Sequence, residues 1–380
     1  MVHLRLHRKF LTLFVVTLLC LVTTTGYADT TVLYRGQTIN LRQTLPDVND
    51  LWITPADLTR INGFELKPEG VCLEDICIPV LQNRDSDIVV NRDDRRWFNI
   101  TGLAKKLQQP YVVDSAHKTW SFSEIPLLRR SFLAEAVAPD FELPDRHGKT
   151  KKLSDFRGKK VLLVTWASWC GCRLDVPVWQ TLYEELKPKN LEIILVAQDT
   201  GGLPAAEPYY SKANVTYTAL IDEKHLVSAL YNFVNVPSAA WIDEGGIIRR
   251  INEGTYAANH GTFGTDDYAP AVRDWVTNGM ASQYMWQPEK VAEKIKSRDS
   301  NLLRAEAAFQ LGAYLFSNGN KADAEMYWRE AQKLDPDNIN YFRQDLSFTE
   351  EGSMGPTFRR KVQELRDQGK DYYAPLELEN

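Results

Sequence analysis

Long hydrophobic runs, basic tracts and cysteines are all scarce in this chain. Beyond residue 30 no segment is long and apolar enough to span a membrane. No cluster of Lys and Arg occurs and the formal net charge is −5, which removes the electrostatic footprint of a nucleic-acid-binding protein. A phosphate loop and a Gly-x-Ser-x-Gly elbow are both missing, so phosphate-loop and serine-nucleophile chemistry have no support. Six histidines are present, without paired spacing near the Cys170 motif. Five cysteines are spread over 380 residues, a length that predicts two or three domains.

What is present begins with Arg5, Arg8 and Lys9, an apolar run from Phe10 to Val22, and small and polar residues up to Ala28. That order reads as a secretory signal peptide over residues 1–28, cleaved after Ala28. The run is shorter than the roughly 18–20 residues of a membrane helix. An uncleaved anchor is the alternative, and the one route by which this chain would meet a membrane. Leu19 is a poor residue before a lipidated cysteine, so Cys20 goes with the discarded segment. Two local pairs remain, Cys72/Cys77 and Cys170/Cys172. They sit in a chain expected in an oxidising space, the periplasm or cell envelope.

Residues 29–130 read as short strands and short helices. "LWITPADLTRINGFEL" (Leu51–Leu66) is similar to "WFNITGLAKKLQQPYVV" (Trp97–Val113), with Trp52 on Phe98, Ile61 on Leu107 and Leu66 on Val112. Each copy predicts strand, helix, strand, hence a small duplicated α+β module. Between them, "EGVCLEDICIPV" predicts a hairpin turning at Glu74-Asp75, with Cys72 opposite Cys77. Facing Cβ atoms in such a pair are about 4.5–5.5 Å apart, close to disulfide geometry. No basic residue adjoins these cysteines to lower a thiol pKa, so they read as a structural staple rather than a second redox pair.

Residues 131–285 change pattern. A linker, "EIPLLRRSFLAEA", leads to a hairpin and short helix. Two apolar strands, Val161–Thr165 and Leu191–Ala197, follow. A strand–helix unit comes next, and then two strands joined at Gly245-Gly246. Strands separated by helices predict a sheet covered on both faces. Residues 286–380 read as helical. Ala307–Asn338 forms two amphipathic helices around Gly319. There Leu311, Gly312, Ala324, Trp328, Ala331 and Pro336 fit tetratricopeptide (TPR) spacing, with Ala308 in place of the early tryptophan. "PEKVAEKIKS" and "FRRKVQELRDQ" are expected to cap it. The tail is either a groove for a peptide partner or a buttress on the preceding domain.

The stretch "WASWCGCRLDVP", Trp166–Pro177, follows an apolar strand and opens a helix. Free backbone N–H groups and the helix dipole stabilise a thiolate at such a place, and Arg173 adds to this. Trp166 and Trp169 would shield the site and offer a flat apolar surface to a partner, or simply pack in the core. Helical positions i and i+2 point about 200° apart, so Cys170 and Cys172 cannot both be helical and bonded. Gly171 is expected to relieve this through backbone angles closed to other residues. A Cys-Gly-Cys disulfide would then be strained and easily reduced. The alternatives are single-thiol chemistry at Cys170 and a clip for a soft ion such as Cu(I). His225 reads as an exposed helix residue rather than a ligand.

Taken with "APDFELPD", "LSDFRGKKVLLVTWASWCGCRLDVP" and "NVPSAAWID", the span Ala138–Ala257 resembles the TlpA/ResA-type thioredoxin-like proteins of the redoxin and AhpC/TSA superfamily. The resemblance implies a thioredoxin fold and thiol–disulfide exchange. It implies Cys170 as the attacking thiol after Trp169, and Cys172 as its partner with Arg173 beside it. Asp175 stands where relatives carry a proton-relaying glutamate. Val236-Pro237 matches the residue and cis-proline that face the dithiol and pair with an extended substrate; a trans proline starting the next strand is the alternative. One residue is missing between the cysteines relative to the family pattern.

The expectation is an α/β protein: a thioredoxin fold, a mixed sheet flanked by helices, between the α+β module and the all-α tail. It would exchange disulfides with protein thiols and an electron donor or acceptor, without cofactor or metal. A thiol peroxidase is the first rival, although Ala167 stands where a Thr-x-x-Cys signature needs threonine. A non-catalytic assembly protein docking through its tail is the second.

Overall fold

The computed structural model describes residues 30–82, 86–260, 267–295, 297–373 and 376–377. The expected signal segment lies outside them. Among the described residues no helix is long and apolar enough to cross a membrane.

In the N-terminal part, Thr30–Tyr34 pairs antiparallel with Gln37–Leu41 and parallel with Thr119–Phe122. The two similar stretches each run strand, helix, strand: Trp52–Ile53, Pro55–Asn62 and Glu65–Lys67, then Arg95–Asn99, Ile100–Lys106 and Tyr111–Asp114. Their first strands pair with each other, Ile53 opposite Phe98. Their second strands join different sheets. Thr54 caps the first helix by accepting from the Asp57 amide, and Gly63 ends it in the left-handed conformation. Val32, Ile53, Leu58, Phe64 and Phe98 form the core of this part. In its hairpin Cys72 faces Cys77, bonded to it, with Cα atoms 4.1 Å apart and Glu74 at positive φ in the turn.

The central sheet holds β1 (Lys160–Trp166), β2 (Leu191–Ala197), β3 (Thr218–Ile221), β4 (Ser238–Ile242) and β5 (Ile248–Glu253), in the order β3-β2-β1-β4-β5. The first three are parallel, and β4 and β5 run antiparallel to their neighbours. Leu162, Val164 and Trp166 face α1 (Val176–Leu186) and the helix Ala269–Asn278. Val161 and Leu163 face the helix Leu226–Tyr231 on the other side. Burial on both faces explains why β1 and β2 are near-continuous apolar runs, interrupted at Thr165 and Glu192, rather than alternating ones. This is the thioredoxin arrangement. The helix Pro288–Lys294, grouped with the tail on sequence, packs here instead, through Trp286, Val291 and Ile295 against Phe132 and Ile248.

The tail is α2 (Ser300–Ser317), α3 (Lys321–Leu334), α4 (Ile339–Ser347) and α5 (Pro356–Asp367). α2 and α3 cross closely because position 312 has no side chain: a Cβ on Gly312 would lie 2.5 Å from Trp328 Cδ1. Ala305, Ala308 and Leu311 share a core with Leu33 and Val112 of the N-terminal sheet. A chain of charged groups ties the three parts together, and Arg298 also donates to the Ala229 carbonyl of the central part at 3.3 Å. Arg298 pairs with Glu306 at 2.8 Å, and Glu306 accepts from the Glu124 amide. Glu124 pairs with Arg35 at 3.2 Å. The tail is a buttress in this arrangement, held on both of the parts that precede it.

Candidate redox site

β1 ends at Trp166 and a four-residue turn delivers Cys170. Cys170 is the extended N-cap residue (φ −96°, ψ 150°) of a 3₁₀ turn, Gly171–Asp175, which runs directly into α1. Its Sγ accepts from the Cys172 amide at 3.2 Å. A sulfur at an N-cap receives the unpaired N–H groups and the positive end of the helix dipole. Cys170 and Cys172 are disulfide-bonded, with Cα atoms 5.2 Å apart. The pairing is reached differently from the sequence expectation. Among the described residues Gly171 is not one of the left-handed glycines. Cys170 itself leaves the helix, and its extended backbone swings Sγ back over the first turn.

Arg173 donates to the Cys170 carbonyl at 2.9 Å, so its guanidinium holds the backbone of the turn. In a 3₁₀ turn residues three apart eclipse, which puts Asp175 on the face of Cys172. The Asp175 side chain is buried. Burial pushes its carboxyl up, opposed by hydrogen bonds from His260 and from the Ala257 and Ala258 amides. His260 Nε2 lies 2.6 Å from Asp175 Oδ1. The Val236–Pro237 bond is cis, and the Val236 carbonyl oxygen lies 3.5 Å from Cys170 Sγ.

One expectation is resolved and another corrected. Trp166 and Trp169 were to offer a flat apolar surface to a partner or else pack in the core, and they are 1 % and 7 % exposed. The Trp169 indole donates to Gln344 at 3.1 Å, and the Arg343 guanidinium lies 4.8 Å over its ring. Its carbonyl accepts from Arg343 and Ser353, both at 2.8 Å. The surface exists, but α4 and the segment after it cover it. His225 was to be an exposed helix residue. It is buried at the N-cap of Leu226–Tyr231 in a left-handed conformation, 3.2 Å from Gln344 Oε1, and burial pushes its imidazole down to about 3.

The same cover reaches the cis-proline. Asn235 donates to the Tyr372 carbonyl at 2.9 Å, and Tyr373 Oη donates to the Val236 carbonyl at 2.9 Å. Tyr256 Oη lies 3.9 Å from Cys170 Sγ. Cys170 and Cys172 are 0 % and 1 % exposed. A cleft of about 490 Å³ lined by Trp286, Arg298, Asp335 and Tyr341 lies away from both cysteines. Sequence reasoning missed Tyr256, His260, Arg343, Gln344, Ser353 and Tyr373. The available signal was the adjacent aromatic pair in "DYYAP", stranded in a polar segment.

The sequence that carries the site is similar to known proteins. Residues 134–251 fit the AhpC/TSA family. The chain is 34% identical over 121 residues to the thiol-disulfide oxidoreductase ResA of Geobacillus kaustophilus, covering 32% of this chain and 69% of that one. It is 35% identical over 166 residues to the thioredoxin-like protein YneN of Bacillus subtilis, covering 42% and 91%. Among solved structures, a thiol-disulfide oxidoreductase from Bacteroides fragilis is 25% identical with a TM-score of 0.28, covering 30% of this chain and 88% of that one. A buried cysteine pair at the start of the helix after β1, faced by a cis-proline, thus sits within a span that matches 69% of ResA and 32% of this chain: the chain belongs to the TlpA/ResA-type thioredoxin-like proteins of the AhpC/TSA family.

Proposed function

We propose that this protein is an extracytoplasmic thiol–disulfide oxidoreductase working through Cys170 and Cys172. The observation that carries the reading is the seat of Cys170: an N-cap sulfur receiving the Cys172 amide and facing the carbonyl before a cis-proline. In the reducing direction the Cys170 thiolate attacks one sulfur of a substrate disulfide. A mixed disulfide forms and the other substrate sulfur leaves as a thiolate. The Cys172 thiol passes its proton toward Asp175 and attacks Cys170. The Cys170–Cys172 bond closes and the second substrate sulfur leaves as a thiolate; one proton returned from Asp175 and one from solvent complete the substrate dithiol, which has gained two electrons. The reverse sequence oxidises a dithiol. Sulfur carries the electrons throughout, so the reaction needs no cofactor.

Substrates are protein thiols or disulfides, recognised by an extended segment that pairs with the Val236 backbone. Residues 1–28 as an export signal and the expected division of the chain belong to this reading. The testing experiment is a redox titration in glutathione buffers with mass spectrometry of the Cys170–Cys172 peptide. Reversible two-electron interconversion is the expected result. A pair that never interconverts sinks the reading and leaves single-thiol peroxidase chemistry. A peptide partner for the tail gains nothing from α2, whose Ala305, Ala308 and Leu311 already pack on the N-terminal sheet.

A further inference from the structure

The hydrogens around Cys170 can be counted. Tyr373 Oη lies 2.9 Å from the Val236 carbonyl oxygen, which only accepts, so the single hydroxyl hydrogen of Tyr373 is committed there. Tyr256 Oη lies 3.1 Å from Tyr373 Oη. With the Tyr373 hydrogen spent, Tyr256 is the donor of that pair. Its hydrogen therefore points at Tyr373 and away from Cys170 Sγ, 3.9 Å distant. Burial holds the Tyr256 hydroxyl above its ordinary pKa, so it remains a donor at every physiological pH.

The seat for Tyr373 is shaped on both sides. Gly254 sits two residues before Tyr256 at φ +66°, and a Cβ there would lie 3.0 Å from Tyr373 Cβ and Cγ. Tyr372 is fixed beside it by Asn235 and by the Arg343 guanidinium at 3.0 Å. The Tyr373 hydroxyl occupies the acceptor that a substrate backbone amide would use. A substrate strand laid along Val236 enters the space that the Tyr373 side chain fills, and once Tyr373 is pushed aside Tyr256 loses its acceptor.

We propose that Tyr256 is a catalytic residue whose hydroxyl donates to the Cys170 thiolate only after a substrate strand displaces Tyr373 from Val236. The proposal rests on Cys170 being the attacking thiol. Access and activation are thereby one event. In the closed chain the sulfur is buried and has the Cys172 amide but not the Tyr256 hydroxyl as a donor; in the substrate complex it is reached and gains that second donor together.

The test is a cycle of Tyr373→Phe, Tyr256→Phe and the double variant in the full chain. Each protein is reduced with dithiothreitol and labelled with iodoacetamide over a pH series, and label on Cys170 is read by mass spectrometry. The plateau rate reports access and the midpoint reports the thiolate. Facing Cys170 and Tyr256 are Arg173, Asp175, His260, Arg343, Tyr372 and Tyr373; the cycle alters two hydroxyls and no charge at neutral pH. Tyr373→Phe should lower the midpoint by about one pH unit, the tenfold expected of a hydrogen bond to a charged group. Tyr256→Phe alone should leave it near the parental value, and the double variant should cancel the shift. A midpoint unmoved by Tyr373→Phe, or moved equally in the Tyr256→Phe background, overturns the proposal. Labelling needs no turnover. Loss of glutathione exchange with an intact cycle therefore counts against the oxidoreductase reading, and normal exchange with a flat cycle counts against Tyr256.

Discussion

His260 Nε2 stands 2.6 Å from Asp175 Oδ1, and so a loop beyond β5 is bonded to the turn that carries Cys172. Asp175 is enclosed while the His260 side chain is 19% exposed. The pair spans the distance between a closed dithiol and solvent.

Asp175→Asn tests that pair. Burial raises the Asp175 carboxyl, so the folded chain holds this proton more tightly than the unfolded chain. The stability it contributes is complete below the ordinary carboxyl value and is lost as pH rises through the raised one. The variant should therefore melt higher than the parent at neutral pH, with the difference shrinking as pH falls through the carboxyl range. Disulfide exchange should slow about 10²-fold. Calorimetry over pH and stopped-flow exchange check both; a parental exchange rate contradicts the relay.

Replacing Cys72 and Cys77 by serine should cost about 2 kcal/mol, the loop-closure value for so short a ring. Exchange at Cys170 should persist, because the hairpin lies in a separate core. Lost activity in a protein that still shows a cooperative melt would overturn the staple.

A proline inserted between Gly171 and Cys172 restores a two-residue gap. The one-residue spacing confines the cysteines to a smaller ring, and widening it should stabilise the disulfide. The reduction potential should fall by about 30 mV or more, a tenfold change in equilibrium constant for two electrons. Equal potentials against glutathione would refute the ring-size argument.

Gly312→Ala puts a methyl 2.5 Å from Trp328 Cδ1 and 2.9 Å from the Ala324 carbonyl. Overpacking of this kind costs about 1–3 kcal/mol. The α2–α3 pair should loosen and α4 with it, so limited proteolysis should cut the tail sooner. Unchanged proteolysis and melting would show that the crossing has slack.

The sequence carried local relations well. The apolar run of β1, the turn that faces Cys72 with Cys77, and the helix start after Cys170 all depend on neighbours within a few positions. The cover over the site does not. Trp169 meets Ser353 at a separation of 184 positions and Val236 meets Tyr373 at 137; no periodicity announces a pair of tyrosines in a polar segment. His260 sits in a loop without regular spacing. His225 was misread because polar residues at helix starts face water more often than not. Here a left-handed N-cap turns the ring inward onto Gln344. Gly171 was credited with conformational freedom that the extended Cys170 supplies instead.

The tail contact also sets an order of events in biosynthesis. Tyr373 follows Val236 by 137 positions, so the segment that closes the site is the last part of it to emerge, whether from a ribosome or from an export channel. Until that segment docks, the Val236 carbonyl lacks its Tyr373 cap. A chain clipped by a protease just before Tyr372 would keep Arg343, Gln344 and Ser353 on Trp169 and lose only the cap on Val236, converting a fully guarded reagent into a half-guarded one without any change at the cysteines.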